Sequence, residues 1–315
     1  MKTAILGLFC LFPGLVLAQS TTRRAVVKAE AAFAAQVAAS GSRAGFLAFS
    51  APEGVVFEDG DAVNAPALWQ ARPATGAPAL AWMPVWTDAA QSGELAYTTG
   101  PWRRGPAAAP TASGQYVTVW HKQLSGSWKF VVNMAIEHGQ LGPAPEAAAP
   151  PRPDAEPDAE PEAEPETEVA HPLLPAAQAL PAAAPNGILL TLERKFIAEE
   201  LKAPAKTYQE YLSAEGRLYR PGQLALTGTS AQVVSENPGF AYLFVPTTVR
   251  LAASGDLGFA VGTLRRPSPI AGQPEETGSY LRIWRREAVA GWRLALEMLN
   301  VGTGAEDEGD AAANK

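Results

Sequence analysis

Apolar residues first recur along the chain at helical spacing and then alternate with polar ones, and this sequence of patterns occurs twice. Residues 23–39 carry Val26, Ala29, Phe33 and Val37 on one helical face and end at Gly41. A second helix is predicted over 42–50 around Phe46 and Phe49, a strand at Gly54-Val-Val-Phe57, and a small helix over 65–72 with Ala67 and Leu68. Four strands are then predicted at 79–88, 94–103, 114–123 and 127–137. The second set has helices over 187–202 (Leu189, Leu192, Phe196, Leu201) and 203–213 (Tyr208, Tyr211, Leu212). A strand follows at Gly216-Arg-Leu-Tyr219, with a weaker helix around 222–227, and then strands at 241–251, 256–265, 278–286 and 291–299. The last two strands of each set are joined by short turns, Leu124-Ser-Gly126 and Glu287-Ala-Val-Ala290, as in antiparallel hairpins. Three helices followed by long antiparallel strands predict an α+β domain: a curved antiparallel sheet packed on about three N-terminal helices, as two tandem cones.

Individual residues keep the register of this repeat. Gly114, Tyr116, Trp120 and Trp128 recur 164 positions later as Gly278, Tyr280, Trp284 and Trp292. Upstream the offset is 162, pairing Pro84 with Pro246, Gly93 with Gly255, Leu95 with Leu257 and Gly100 with Gly262. The change falls between Arg104 and Gly114, which reads as a loop that tolerates insertion. A register held this widely reads as a duplicated fold, with one domain over 21–141 and another over 187–301.

The intervening segment, 142–186, is dominated by Pro, Ala and Glu and lacks the aromatic and β-branched residues that would offset ordering entropy. Regular prolines and like charges make it a semi-stiff, disordered linker; a docking motif or a wall-spanning tether is the other reading. The tail over 302–315 is a second acidic, disordered piece. At the start, Lys2 precedes an apolar run from Ala4 to Leu17 and a small residue, Ala18, the pattern of a secretory signal peptide cut after Ala18. The run is too short for a membrane anchor and is broken by Pro13 and Gly14. The expected location is therefore periplasmic or secreted, with no membrane association after cleavage.

Composition then removes several kinds of chemistry. Cys10 leaves with the signal, so the mature chain has no thiolate nucleophile, disulfide or cysteine-ligated metal. A net charge of −7 argues against nucleic acid as a partner. There is no glycine-rich phosphate loop and no Gly-x-Ser-x-Gly turn. Glu58, Asp59 and Asp61 lack the length and glycine placement of a calcium loop and read as an acidic turn; the second copy has Arg220-Pro-Gly there. No cofactor and no metal are expected.

The order of elements resembles the nuclear-transport-factor-2-like superfamily, and within it the SnoaL-like family (domain of unknown function 4440 type). The stretches that carry the resemblance are Glu30-Ala-Ala-Phe33, Ala44-Gly-Phe-Leu-Ala48, Val56-Phe57, Ser92-Gly-Glu-Leu-Ala-Tyr-Thr-Thr-Gly100, Gly114-Gln-Tyr-Val-Thr-Val-Trp120 and Gly126-Ser-Trp-Lys-Phe130. In the second copy they are Glu193, Phe196, Ser254-Gly-Asp-Leu-Gly-Phe259, Tyr280, Trp284 and Trp292. The resemblance implies a conical pocket between sheet and helices, which in relatives hosts isomerases, dehydratases, polyketide cyclases or plain ligand binding. It also implies association through the open sheet face, which two tethered copies could satisfy within one chain or between chains. Many SnoaL-like relatives carry a His where Met134 and Met298 fall; here both positions hold an apolar filler instead.

Strict alternation along the last strand puts Trp128, Phe130, Val132, Met134 and Ile136 on one face, with Lys129, Val131, Asn133, Ala135 and Glu137 on the other. In the second copy Trp292, Leu294, Leu296 and Met298 oppose Arg293, Ala295, Glu297 and Leu299. Of the three histidines, His171 lies in the linker, His121 reads as a surface residue, and His138 beside Glu137 is an acid–base candidate. Tyr97 is the other one. The aromatic residues of the first copy suit an apolar or aromatic small molecule, or a carbohydrate stacking surface. The expected ligand-binding set is Trp82, Trp86, Tyr97, Trp102, Tyr116, Thr118 and Met134, with Trp82 and Trp86 sharing a strand face. In the second copy Phe244, Thr248, Leu264 and Arg282 replace Trp82, Trp86, Trp102 and Thr118, so the first domain is the better binding candidate. Three readings stand: non-catalytic binding of a small apolar ligand or a protein partner, a cofactor-free isomerase, cyclase or dehydratase using His138, Glu137 or Tyr97, and a structural pseudo-dimer.

Overall fold

The computed structural model describes residues 13–138, 185–228, 230–231, 242–267 and 275–302. The first twelve residues of the expected signal, the linker through residue 184 and the tail beyond residue 302 lie outside the described residues.

The first domain starts with α1 (Pro13–Phe49), where two helices were expected. Gly41, at φ 81°, marks the kink between them. The second segment then packs so close that a Cβ on Gly45 would stand 2.3 Å from Val37 Cγ2. β1 (Ser50–Glu58) and β2 (Asp61–Asn64) form a hairpin around Asp59-Gly60, both at positive φ (49° and 88°) as a two-residue primed turn requires. Asn64 caps α2 (Ala65–Ala71) by accepting from the Ala67 N–H at 3.0 Å, and a proline occupies the first turn. β3 (Leu80–Trp82), β4 (Trp86–Ala89), β5 (Leu95–Arg104), β6 (Ala112–Lys122) and β7 (Trp128–Glu137) complete a sheet of order β2-β1-β7-β6-β5-β3, with β4 also on β5.

The second domain has α3 (Pro185–Glu200), α4 (Pro204–Tyr211), β8 (Leu212–Tyr219), β9 (Leu226–Thr227), β10 (Leu243–Leu251), β11 (Leu257–Arg266), β12 (Glu276–Glu287) and β13 (Gly291–Val301). Its sheet order, β10-β11-β12-β13-β8-β9, matches the first, so the chain forms two α+β cone domains. Both sheets are mixed rather than purely antiparallel, because β1 runs parallel to β7 and β8 parallel to β13. The weak helix expected around 222–227 is instead a turn leading into β9, which pairs with β8.

Bulges redirect side chains in both sheets. Trp82 pairs with Trp102 but Trp86 with Thr99, four steps on one strand against three on the other. On β7, Val132 faces Val119 while Phe130 faces Trp120, which leaves Val131 extra. On β13, Leu296 faces Ile283 while Leu294 faces Trp284, which leaves Ala295 extra. One inserted residue sends everything beyond it to the opposite face. Strict alternation along the last strand therefore fails: Phe130 packs under the helices, whereas Val132, Met134 and Ile136 point away from them. Leu294 likewise faces the helices while Leu296 and Met298 do not.

The residues that point away meet each other. The largest core cluster joins Tyr97, Val117, Val119, Val132, Met134 and Ile136 of the first domain to Tyr219, Phe259, Val261, Leu281, Leu296 and Met298 of the second. The open faces of the two sheets are thus packed together within one chain. Polar contacts at the edge are reciprocal: the Gln91 N–H donates to Asp256 at 3.2 Å, and the Ala253 N–H donates to Glu94 at 2.7 Å. Ser92 and Ser254 touch through their hydroxyls at 2.8 Å. Each contact exchanges residues 162 apart, the signature of an isologous interface around a local two-fold axis.

Candidate functional site

The apolar stripe of α1 directs Val26, Phe33 and Val37 onto the first sheet, and Glu30 lies within it, four residues after Val26 and three before Phe33. Glu30 is fully buried. Its Oε1 accepts from Trp82 Nε1 at 2.5 Å, and its Oε2 accepts from Thr98 Oγ1 at 2.5 Å and Trp120 Nε1 at 2.9 Å. Burial pushes its carboxyl above the usual carboxylate range, against the pull of these hydrogen bonds. It makes no ion pair among the described residues.

Beside this group a cavity of about 910 Å³ opens between the helices and the sheet, walled by Phe33, Phe46, Trp69, Trp82, Trp102 and Tyr116, with Asn133 on the sheet side. Asn133 Nδ2 donates to Thr118 Oγ1 at 2.9 Å. The Tyr116 hydroxyl and Trp69 Nε1 are buried with no hydrogen-bond partner among the described residues. Burial, with the charge of Glu30 added, pushes the Tyr116 phenol well above its ordinary value. At the rim, Arg72 pairs with Glu58 and stacks 4.8 Å from Trp69, Arg104 pairs with Glu137 at 3.4 Å, and Arg43 donates to the Trp69 carbonyl at 3.1 Å. The second domain completes the rim with Pro221, Asn300 and Val301. It is fastened there by Asn300 Nδ2 donating to the Ala135 carbonyl (3.0 Å) and the Gly222 N–H donating to the Glu137 carbonyl (3.1 Å).

Of the residues expected at a binding site, Trp82, Trp102 and Tyr116 line this cavity, and Thr118 stands buried behind Asn133. Trp86, Tyr97 and Met134 do not line it: bulges turn Trp86 and Met134 to the interface between the domains, and Tyr97, an odd number of residues from Trp102 on the unbroken β5–β6 register, faces there by alternation alone. There Trp86 Nε1 donates to Tyr97 Oη at 3.1 Å, and the Arg217 guanidinium lies 4.5 Å from the Trp86 ring. Burial, with Asp88 nearby, raises the Tyr97 phenol. Met134 occupies an inter-sheet position, so its lack of an imidazole says nothing about the cavity.

The acid–base candidates are not assembled. Glu137 sits at the rim with Arg104, whereas His138 is buried off the cavity, its N–H on the Ser113 carbonyl at 3.0 Å. His121 is half-buried at the domain interface rather than on free surface, and burial together with Arg250 lowers its pKa. Sequence reasoning missed Glu30 and Asn133. The first was legible as a carboxylate inside an apolar stripe; the second was hidden by the bulge at Val131.

Beneath the second sheet a buried charged cluster occupies the matching place among the described residues. Arg282 is fully buried, with Nη1 donating to Glu193 at 2.7 Å and Nε to Glu297 at 2.5 Å, while Glu200 lies 3.7 Å from Nη2. Its guanidinium packs 4.6 Å from the Phe196 ring, 4.2 Å from Phe244 and 4.7 Å from Tyr280. Arg220 and Tyr208 also donate to Glu297. Burial opposes the ionisation of Glu297, but Arg282 and Arg220 outweigh it and hold its pKa at about 2. Burial pushes Glu200 up to about 7.

Among the described residues no group of three or more His, Cys, Asp and Glu side chains is placed to hold a metal ion, and no helix is long and apolar enough to cross a membrane. No protein-family model and no curated protein matches the chain. Solved structures are similar over about one domain's length. A ketosteroid isomerase-like protein from Erwinia carotovora atroseptica is 15% identical and covers 38% of this chain and 97% of its own, at a TM-score of 0.33. An NTF2-like protein from Cytophaga hutchinsonii is 14% identical, with 36% and 95% covered and a TM-score of 0.30. A nuclear transport factor 2 (NTF2-like) superfamily protein from Salmonella enterica is 13% identical, with 41% and 97% covered and a TM-score of 0.31.

Proposed function

We propose that the chain is an exported binding protein, built from two copies of one ancestral cone, whose first domain takes a small, largely apolar ligand. The second copy is the scaffold: it covers the open face of the first sheet and closes the cavity rim. One observation carries this reading. The first domain holds a cavity of about 910 Å³ walled by three tryptophans, within the range of small-molecule sites, while in the second the Arg282 guanidinium stands against Phe196, Phe244 and Tyr280 at the matching place.

A cofactor-free acid–base enzyme is the second reading, favoured by the raised pKa of Glu30. Proton transfer, however, needs a carboxylate that can reach the ligand. Both Glu30 oxygens are occupied by Trp82, Thr98 and Trp120, and Glu30 is not among the lining residues. Binding is therefore preferred.

Native mass spectrometry of the chain purified gently from the periplasmic fraction tests the proposal. The expected spectrum contains an adduct of small-molecule mass that Trp102→Ala removes. An adduct-free spectrum, together with no response of tryptophan fluorescence to an apolar ligand library, would count against it. Mature chains that still begin at Met1 would end the export claim.

A further inference from the structure

The two domains place matching residues at the same points of their sheets. Tyr116 pairs with Gly100 as Tyr280 pairs with Gly262, and Trp82 pairs with Trp102 as Phe244 pairs with Leu264. Thr118 lies between Thr98 and Asn133, where Arg282 lies between Ala260 and Glu297. Under the helices, Trp120 donates to Glu30 at 2.9 Å as Trp284 donates to Glu193 at 2.6 Å. Phe33 and Phe196 each face that tryptophan edge-on. The match extends to the surroundings of one group, the Arg282 guanidinium. In the second domain it stands against Phe196, Phe244 and Tyr280 and is ion-paired to Glu193. The first domain keeps an aromatic residue at all three ring positions and a carboxylate at the fourth, but has Thr118 in place of the cation.

Trp82 has partly moved into the space this leaves. Its ring lies 4.9 Å from Phe33, and its Nε1 makes the hydrogen bond to Glu30 that Arg282 makes to Glu193. The indole supplies the hydrogen bond but not the charge. Glu30 stays buried among neutral donors, and the cavity next to it is walled by the electron-rich faces of Trp82 and Tyr116. A carboxylate desolvated in this way stabilises any cation brought close to it in low dielectric, and aromatic faces add to that attraction. At the rim Arg72 pairs with Glu58 and Arg104 with Glu137, and the remaining Arg43 charge is balanced by the Asp59 carboxylate in the same lining, so the buried floor sets the sign of the preferred charge.

We propose that the first-domain cavity selects an organic cation, a guanidinium or alkylated ammonium on an apolar body, held against the faces of Phe33, Trp82 and Tyr116, with Glu30 acting as counter-charge from behind Trp82 through the low-dielectric interior and not by direct contact. Arg282 is the built-in equivalent of that ligand in the second domain. This inference rests on the cavity being a binding site, and the test separates the two claims. Isothermal titration calorimetry of the whole chain compares benzyltrimethylammonium, its uncharged carbon isostere neopentylbenzene, and the anion phenylacetate.

The cation should bind at least about tenfold more tightly than the isostere. Glu30→Gln should remove that preference. The double variant Thr118→Arg/Asn133→Glu places the second domain's Arg282–Glu297 pair in the first; beside Trp82, where the second domain has the smaller Phe244, it should keep the wild-type circular dichroism spectrum at some cost in stability and lose cation binding more than tenfold. Equal or tighter binding of the isostere or of phenylacetate overturns the cation proposal and leaves the apolar site standing. Cation binding that survives the double variant overturns the placement. Binding of none of the three overturns the proposal as well, and the native mass spectrum then decides separately whether the cavity holds a ligand.

Discussion

Thr118 and Arg282 occupy the same place in two sheets of the same strand order, and the first domain has a cavity beside its buried glutamate where the second sets a guanidinium against its own. In the second domain two arginines, Arg282 and Arg220, are packed with Glu193, Glu200 and Glu297 into a cluster that neutralises most of its own charge. In the first, Asn133 stands where Glu297 does, Val37 stands where Glu200 does, and only Glu30 remains of the acids. A cone can therefore be stabilised from inside by ions or left open, and a paired chain can hold one of each. The second domain supplies its own cation, which suits a scaffold, while the first leaves a cavity beside Glu30 that a ligand can enter.

The sharpest way to break this comparison is Arg282→Thr, which gives the second domain the first domain's residue. It strands Glu193 and Glu297 without their cation, and removing one partner of a buried ionic group costs about 3–5 kcal/mol. Urea denaturation of the whole chain should show that loss, and adding Glu297→Asn should recover part of it by deleting one stranded charge. A single variant within about 1 kcal/mol of wild type would mean that the cluster does not hold the second domain together.

The second test uses pH. Glu200 ionises at about 7 in the folded chain against 4.5 when exposed, so the folded state holds this proton more tightly than the unfolded state. Below pH 4.5 both states are protonated and burial of the acid carries no penalty. As pH rises from 4.5 through 7 the unfolded chain ionises first, and stability falls by about 3 kcal/mol. Glu297 acts in the opposite sense and in a lower window: with its pKa near 2 its stabilisation is present above 4.5 and is lost as pH falls toward 2. Denaturation of wild type and Glu200→Gln at pH 5 and 7.5 isolates the first effect. The variant should lose less stability across that interval, and parallel losses in both proteins would remove Glu200 from the account.

Much of this frame was legible in the sequence. Helical stripes and strand spacing placed nearly every element, and the 162- and 164-residue offsets correctly matched Thr118 with Arg282. What failed was facing. Alternation has no means of registering an extra residue at Val131, Ala295 or between Trp82 and Trp86, and the two bulges of the first domain moved Trp86 and Met134 to the domain interface. Glu30 and Glu193 were visible as acids four residues after Val26 and Leu189, but helical periodicity ranks apolar residues and passes over a carboxylate among them. The Asp59-Gly60 hairpin was also on the page as a turn signal, though the short β2 after it is too polar to read as a strand.

A smaller effect tests the open domain. Trp82→Phe keeps a ring in the wall but leaves Glu30 Oε1 without its donor, and an unsatisfied buried acceptor costs about 1–3 kcal/mol. The reciprocal change, Phe244→Trp, places an indole where the second domain's cation already occupies the space, so overpacking should cost a similar amount, about 1–3 kcal/mol. If Phe244→Trp proves neutral by denaturation, the two spaces are less alike than the strand registers imply.

The smallest expected effect falls on the local two-fold axis. Ser92 and Ser254 are equivalent residues that touch each other, the Ser92 N–H also bonding Ser254 Oγ at 3.2 Å and the Ser254 N–H bonding Ser92 Oγ at 3.1 Å. A pair of side chains that serve each other should couple. Ser92→Ala and Ser254→Ala should each cost about 0.5–1 kcal/mol, with the double variant departing from their sum by about 0.5 kcal/mol. Two domains merely tethered by the linker would give additive losses near zero, since each serine would then be solvated by itself. Because neither serine lines the cavity or belongs to the Arg282 cluster, the cycle reports on the pairing of the two domains, whichever of them holds a ligand.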